Sequence, residues 1–232
     1  MEFLSRTFKL GNKEYRYQVA KPAAWTPDRK WPVALFLHGA AERGSDNISQ
    51  TKLGLARSAA DKLPLIVVLP QCPINRWWPE PEMQQLALKA LDESAAEFSA
   101  DPERSYLTGM SMGGYGTWAI AAMHPGRFAA LAPVCGGVRP PALIPPSFGW
   151  LAGLDLYKLV AQRIGRTPVW VFHGDSDPII PVSESRKMVE AIKAEGGNVR
   201  YSEYKGVGHN SWDRAYREPE FFPWLLSQRL AR

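Results

Sequence analysis

Four short runs of the chain are apolar from end to end: Pro32 to His38 (PVALFLH), Leu65 to Leu69 (LIVVL), Phe128 to Val134 (FAALAPV) and Pro168 to Phe172 (PVWVF). Short runs without polar alternation are the signature of strands buried on both faces. Between them lie stretches of helical period. Met83, Leu86, Ala87, Ala90, Leu91, Ala95 and Phe98 recur at i, i+3, i+4 spacing, and Met188, Val189 and Ile192 mark a second amphipathic segment with Ser183 expected as its cap. Strands alternating with helices at this rhythm point to an α/β fold, a mostly parallel central sheet with helices on both faces. The opening stretch EFLSRTFKLGNKEYRYQVA instead alternates polar and apolar residues, as two short half-exposed strands would.

A chain of 232 residues, 45% hydrophobic and 22% charged, can bury one substantial core, so residues 1–232 read as a single domain. One part of it is irregular. Residues 138–166 open on VRPPALIPPSFGW, with four prolines between Pro140 and Pro146, and continue into a helix-like piece, LAGLDLYKLVAQRIG. Such a long insertion is a candidate cap or lid. The net charge of +5 is spread along the chain without a polybasic block, which gives no reason to expect nucleic acid as a partner. No run approaches the ~18 apolar residues of a membrane span, and the first residues lack the apolar core of a signal peptide. A cytoplasmic location is therefore expected. Cys72 and Cys135 form neither a disulfide framework nor a zinc-ligand pattern and read as two buried small apolar residues, and no metal or cofactor is expected.

In a parallel sheet of this kind, ligands bind at the carboxyl ends of the strands. The segments that directly follow the apolar runs are HGAAERGSDN, PQCPINRWW, GMSMGG, CGG and HGDSDP, so the reactive residues gather where that rule puts a site. Gly109 to Gly113 (GMSMG) matches G-x-S-x-G between an apolar run, Ser105 to Thr108, and a helix-like run, Thr117 to Met123. A serine on a sharp strand-to-helix turn needs glycine on either side so that neighbouring backbone can pass closely. Neither glycine-rich phosphate-binding pattern occurs.

Serine is a weak nucleophile and needs a histidine base oriented by a carboxylate, in the chain order Ser, acid, His. Of the four histidines, His124 lies at a helix end before Pro125, while His38 and His173 each close a buried strand and are expected to hold loop structure. His209, in the loop GVGHNSW after the strand-like run Val199 to Tyr204, remains as the base. The acid comes from HGDSDP. Asp177 is favoured because it lies deeper in the loop, and Asp175 stays open because it could serve the backbone amides of its own turn.

These segments, LFLHGAAERGSDN, VVLPQCP, YLTGMSMGGYGTWAIAAMHPGRFAALAPVCGG, PVWVFHGDSDPIIPV and YKGVGHNSWDRAY, run from about Val33 to Tyr216. Together they resemble the α/β-hydrolase superfamily. The likeness is greatest to its predicted-peptidase and esterase group, related to dienelactone hydrolases, polyhydroxybutyrate-depolymerase-like and feruloyl esterases and prolyl-oligopeptidase catalytic domains. The resemblance implies Ser111 as nucleophile, Asp177 as acid and His209 as base. It also implies an oxyanion hole made of the Met112 and Ala40 backbone N–H groups. The proline-rich stretch after Gly137 departs from the group, being longer than the usual direct passage to the next strand.

The expected activity is that of a serine esterase, a carboxylesterase cleaving small or medium-sized esters through an acyl-enzyme on Ser111. Esters are favoured over peptides because their leaving group needs less protonation. Trp77, Trp78, Trp150 and Trp212 fall in or beside the predicted loops and are candidates for a substrate pocket. Three alternatives remain: a peptidase of the prolyl-oligopeptidase type, a lysophospholipase-like enzyme, and a non-catalytic ligand-binding protein of the same fold.

Overall fold

The computed structural model describes residues 3–58, 64–139 and 155–230. Its strands are β1 (Phe3–Leu10), β2 (Lys13–Ala20), β3 (Trp31–Leu37), β4 (Ile66–Pro70), β5 (Ala100–Met110), β6 (Ala130–Val134), β7 (Val169–Gly174) and β8 (Val199–Tyr204). They form one eight-stranded sheet in the order β1-β2-β4-β3-β5-β6-β7-β8. β1 pairs with β2 and β2 with β4 in antiparallel fashion, and every other pair is parallel. The four apolar runs became β3, β4, β6 and β7, each buried along its whole length.

The helices are α1 (Leu55–Ser58), α2 (Pro81–Glu97), α3 (Met112–Met123), α4 (Leu156–Ile164), α5 (Ser183–Ala194), α6 (Trp212–Ala215) and α7 (Phe221–Ser227). Because side chains alternate along a strand, each buried strand feeds two cores. Val33, Leu35 and Leu37 of β3 face one cluster, filled by α2, α3, α4 and α5; Ala34 and Phe36 face the other, filled by α1, α6 and α7. This is an α/β-hydrolase fold. No helix among the described residues is long and apolar enough to cross a membrane.

Three expectations need correction. Ser183 does not cap α5: it is already the first helical residue, Val182 stands at the N-cap, and no side chain caps that end. The helix after the serine turn begins at Met112, not Thr117, because the glycines there are helical as well. Within 138–166, α4 is a crossover helix, capped by the Asp155 carboxylate and packed into the core through Tyr157, Val160, Ala161 and Ile164. The rest of the stretch expected as a cap or lid, 140–154, lies outside the described residues.

Candidate active site

Ser111 joins β5 directly to α3 at φ 55°, ψ −118°, a conformation that costs a non-glycine residue about 1–3 kcal/mol. The backbone around it holds it there. The Ser111 N–H donates to Val134 O (2.9 Å), and its carbonyl accepts from the Gly114 N–H (2.9 Å) and the Tyr115 N–H (3.2 Å). A Cβ on Gly113 would overlap the Leu37 carbonyl, and one on Gly109 would overlap the Gly113 carbonyl. Glycine at these two places lets β3, β5 and α3 meet closely enough to lift the serine above the sheet.

His209 brings the pieces together. Its Nε2 lies 2.8 Å from Ser111 Oγ and its Nδ1 lies 2.7 Å from Asp177 Oδ2. The Asp177 side chain is fully buried, while that of His209 is one-fifth exposed. Asp177 Oδ1 accepts from the Ile179 N–H (2.8 Å) and the Ile180 N–H (2.9 Å). Burial pushes this carboxyl upward, but the donors on His173 and His209 and these two amides outweigh it and hold Asp177 well below the usual carboxylate range. An ionised Asp177 requires Nδ1 of His209 to carry the proton, which leaves Nε2 free to accept from the serine hydroxyl. Asp175 is engaged elsewhere, accepting from the Gly206 N–H and from Ser176 Oγ, both at 2.7 Å. The backbone amides of the turn, which Asp175 was expected to be able to serve, are instead taken by Asp177.

His173 does more than hold its loop. Its Nε2 lies 3.0 Å from Ile180 O and 3.2 Å from Asp177 Oδ2. Both neighbours are acceptors, so Nε2 carries the proton, and Nδ1 accepts from Ser185 Oγ at 2.7 Å. The available signal was its spacing, four residues before Asp177 at the end of a buried strand. His38 matches its structural reading: Nδ1 faces Gly39 O at 2.6 Å, and Nε2 accepts from the Cys72 N–H at 2.9 Å. Burial lowers its pKa to about 4.

Ala40 and Met112 are each the first residue of a helix, Ala40 of a short 3-10 turn and Met112 of α3. An N–H at that position has no acceptor within its own helix. Gly39, beside Ala40, packs against Ser111, since a Cβ there would lie 3.7 Å from Ser111 Cβ and 2.9 Å from Glu42 Oε2. Glu42 carries no local motif that marks it in the sequence. Its carboxyl is buried here, and that burial raises its pKa against the opposing pull of backbone donors on Glu42 and Gly39.

The four tryptophans separate. Trp212 stands edge-on to His209, ring centroids 5.4 Å apart, and Trp77 is half-buried under the Arg43 guanidinium, which also donates to Ala40 O (3.0 Å). Trp78 is a correction. It is fully buried, its Nε1 donates to His38 O at 3.0 Å, and it fills the space that Gly116 leaves open, so it is core and cannot line a pocket. Trp150 lies outside the described residues. Both cysteines are free and buried.

Residues 74–218 match the Dienelactone hydrolase family. A solved structure described as a thermostable esterase superimposes with a TM-score of 0.79 at 34% identity, covering 98% of this chain and 63% of that one. NocK of Nocardia uniformis subsp. tsuyamanensis, which carries an esterase name, is 29% identical over 180 residues, 73% of this chain and 46% of NocK. The feruloyl esterase module of Clostridium thermocellum, solved with sinapinate, superimposes with a TM-score of 0.74 at 18% identity, over 98% of this chain and 88% of the module, a likeness of fold. The chain spans less than half the length of the curated relatives it matches.

Proposed function

The chain belongs to the dienelactone hydrolase family, and from that premise we propose that it is a carboxylic ester hydrolase working through an acyl-enzyme on Ser111. The observation that carries this reading is the continuous chain of short contacts, Ser111 Oγ to His209 Nε2 at 2.8 Å and His209 Nδ1 to Asp177 Oδ2 at 2.7 Å. Relatives with esterase names support it.

In this mechanism Ser111 attacks the ester carbonyl while His209 Nε2 takes its proton. The imidazolium formed is stabilised by the ionised Asp177 and then protonates the departing alcohol. The negative charge on the carbonyl oxygen is met by the N–H groups of Met112 and Ala40, whose position at helix starts leaves them without intrahelical acceptors. Water activated by His209 releases the acid. His173 acts as a positioning residue, its Nε2 lying 3.2 Å from the same Asp177 Oδ2 that His209 meets. Trp212 beside His209 and Trp77 beside the Ala40 loop suit an apolar or aromatic group on the substrate.

The test is a panel of short acyl, feruloyl and acetyl-sugar esters set beside peptide amides, with Ser111→Ala as the blank. Ester turnover and fluorophosphonate labelling of Ser111 are expected, and both vanish in Ser111→Ala. Turnover that survives in Ser111→Ala overturns the assignment, and turnover of amides alone replaces the esterase reading with the peptidase one.

A further inference from the structure

Behind the acid–base pair, at the carboxyl end of β6, lies Cys135. It is fully buried, sits at φ 37°, and is tied to the sheet by its N–H, which donates to Phe172 O at 2.8 Å. One donor atom each from Cys135, Asp177 and His209 lie within 4.8 Å of one another. A fourth polar group lies beside the thiol. Ser211 Oγ is fully buried and lies against the Cys135 thiol, yet makes no well-formed hydrogen bond. The ester-cleaving mechanism uses neither Cys135 nor Ser211.

We propose that Cys135, Asp177 and His209 form a binding site for a thiophilic divalent cation, zinc or cadmium, and that its occupancy reversibly switches off ester hydrolysis. The switching rests on the hydrolase reading above; the binding does not.

Sulfur, imidazole nitrogen and carboxylate oxygen are the donor types zinc takes, whereas magnesium and calcium prefer oxygen alone. With zinc bonds of ~2.0–2.3 Å, two donors on one tetrahedral ion stand roughly 3.5 Å apart. The Cys135 sulfur would therefore draw in by at most about 1.3 Å, while the His209 Nδ1–Asp177 Oδ2 pair, 2.7 Å apart, would open by about 0.8 Å to admit the ion, changes within reach of side-chain rotation. The charges also close. One carboxylate and one thiolate neutralise a divalent ion beside a neutral imidazole, so no net charge is buried.

On binding, the Cys135 S–H bond breaks, its proton goes to solvent, and a sulfur–metal bond forms. The His209 proton moves from Nδ1 to Nε2 by way of solvent as Nδ1 joins the metal. No oxidation or reduction takes place. His209 then presents an N–H to Ser111 in place of a lone pair and cannot take its proton, while Asp177 is drawn from the imidazole to the ion.

The experiment uses chelator-stripped full-length protein. Zinc is titrated in competition with a chromophoric chelator, cadmium is followed by its thiolate absorption in the ultraviolet, and ester hydrolysis is measured at each metal concentration. Wild type and Cys72→Ser should bind one zinc per chain, show the cadmium–thiolate absorption and lose activity in step with binding, with recovery on adding chelator. Cys135→Ser should hydrolyse normally without metal, lose the cadmium–thiolate absorption and bind zinc at least about 10–100-fold more weakly, since losing a direct ligand costs no less than losing a group that only supports one. Wild-type zinc affinity in Cys135→Ser, or zinc bound without inhibition of an active enzyme, overturns the proposal. Should zinc bind as described to a protein with no ester turnover at all, the metal site stands and the hydrolase reading falls.

Discussion

Ser111 is held by backbone packed against backbone, whereas Asp177, two strands away across the sheet, is held by hydrogen-bond donors from separate parts of the chain. Around the serine, the constraint is steric: the Leu37 and Gly113 carbonyls occupy the space where side chains would stand on Gly113 and Gly109. Around the aspartate it is electrostatic, with His173 from β7, His209 from beyond β8 and the Ile179 and Ile180 amides converging on one buried carboxylate. The first arrangement is sensitive to added volume, and the second to the donors that compensate a buried charge.

The largest effect expected is on chemistry with the fold left intact. Ser111→Ala should lower kcat/KM for esters by about 10⁴–10⁶-fold, with circular dichroism and thermal midpoint close to wild type; comparable turnover would break the comparison at its centre. Asp177→Asn keeps the shape and removes the charge, and should cost about 10³–10⁴-fold in kcat. On the steric side, Gly113→Ala should destabilise the protein by roughly 4 kcal/mol or more, since its Cβ has only backbone to displace. Urea unfolding measures this, and a loss below about 1 kcal/mol would show that the turn can relax.

Acid should separate the two regions. The pKa of His38, beside the serine turn, is lowered from 6.5 to about 4 by burial. The unfolded chain therefore binds a proton that the folded chain refuses throughout this window, and stability falls as pH drops from 6.5 toward 4, by on the order of 3 kcal/mol. Asp177, whose pKa is depressed, should stay ionised across the same window. Unfolding curves taken from pH 7 to pH 4 should show this slope, and a flat profile would remove His38 as its source. The smallest effect belongs to His173→Phe, which should lower kcat about 10–100-fold with KM nearly unchanged. Activity should also fail at a higher pH on the acid side, because Asp177 loses a donor. His173→Gln, which keeps an N–H near the same place, should recover part of both, and a KM effect alone would make His173 merely structural.

The difference between the two regions is also a difference in legibility. The GMSMG turn could be read from the chain because its determinants, glycine spacing and the adjoining apolar and helical runs, lie within a few residues of Ser111. The four buried strands were equally legible, since a strand covered on both faces has no polar positions. The antiparallel turn of β1 and β2 against β4 was not, because pairing direction depends on the neighbour and not on the strand's own pattern. The helices α1, α6 and α7 span only four to seven residues, too few to show a period. Trp78 looked like a loop residue beside Trp77, yet Gly116 opens a slot that takes it into the core.

What the sequence determined by itself was the set of chemical groups, their chain order and the turn that presents the serine, because each depends on local sterics and on hydrophobic period. Only the tertiary structure decided which groups meet. It assigned the Ile179 and Ile180 amides to Asp177, the second donor to His173 and the space behind the pair to Cys135. These contacts join residues far apart in sequence, and their distances exist only once the parallel strands have aligned their carboxyl ends.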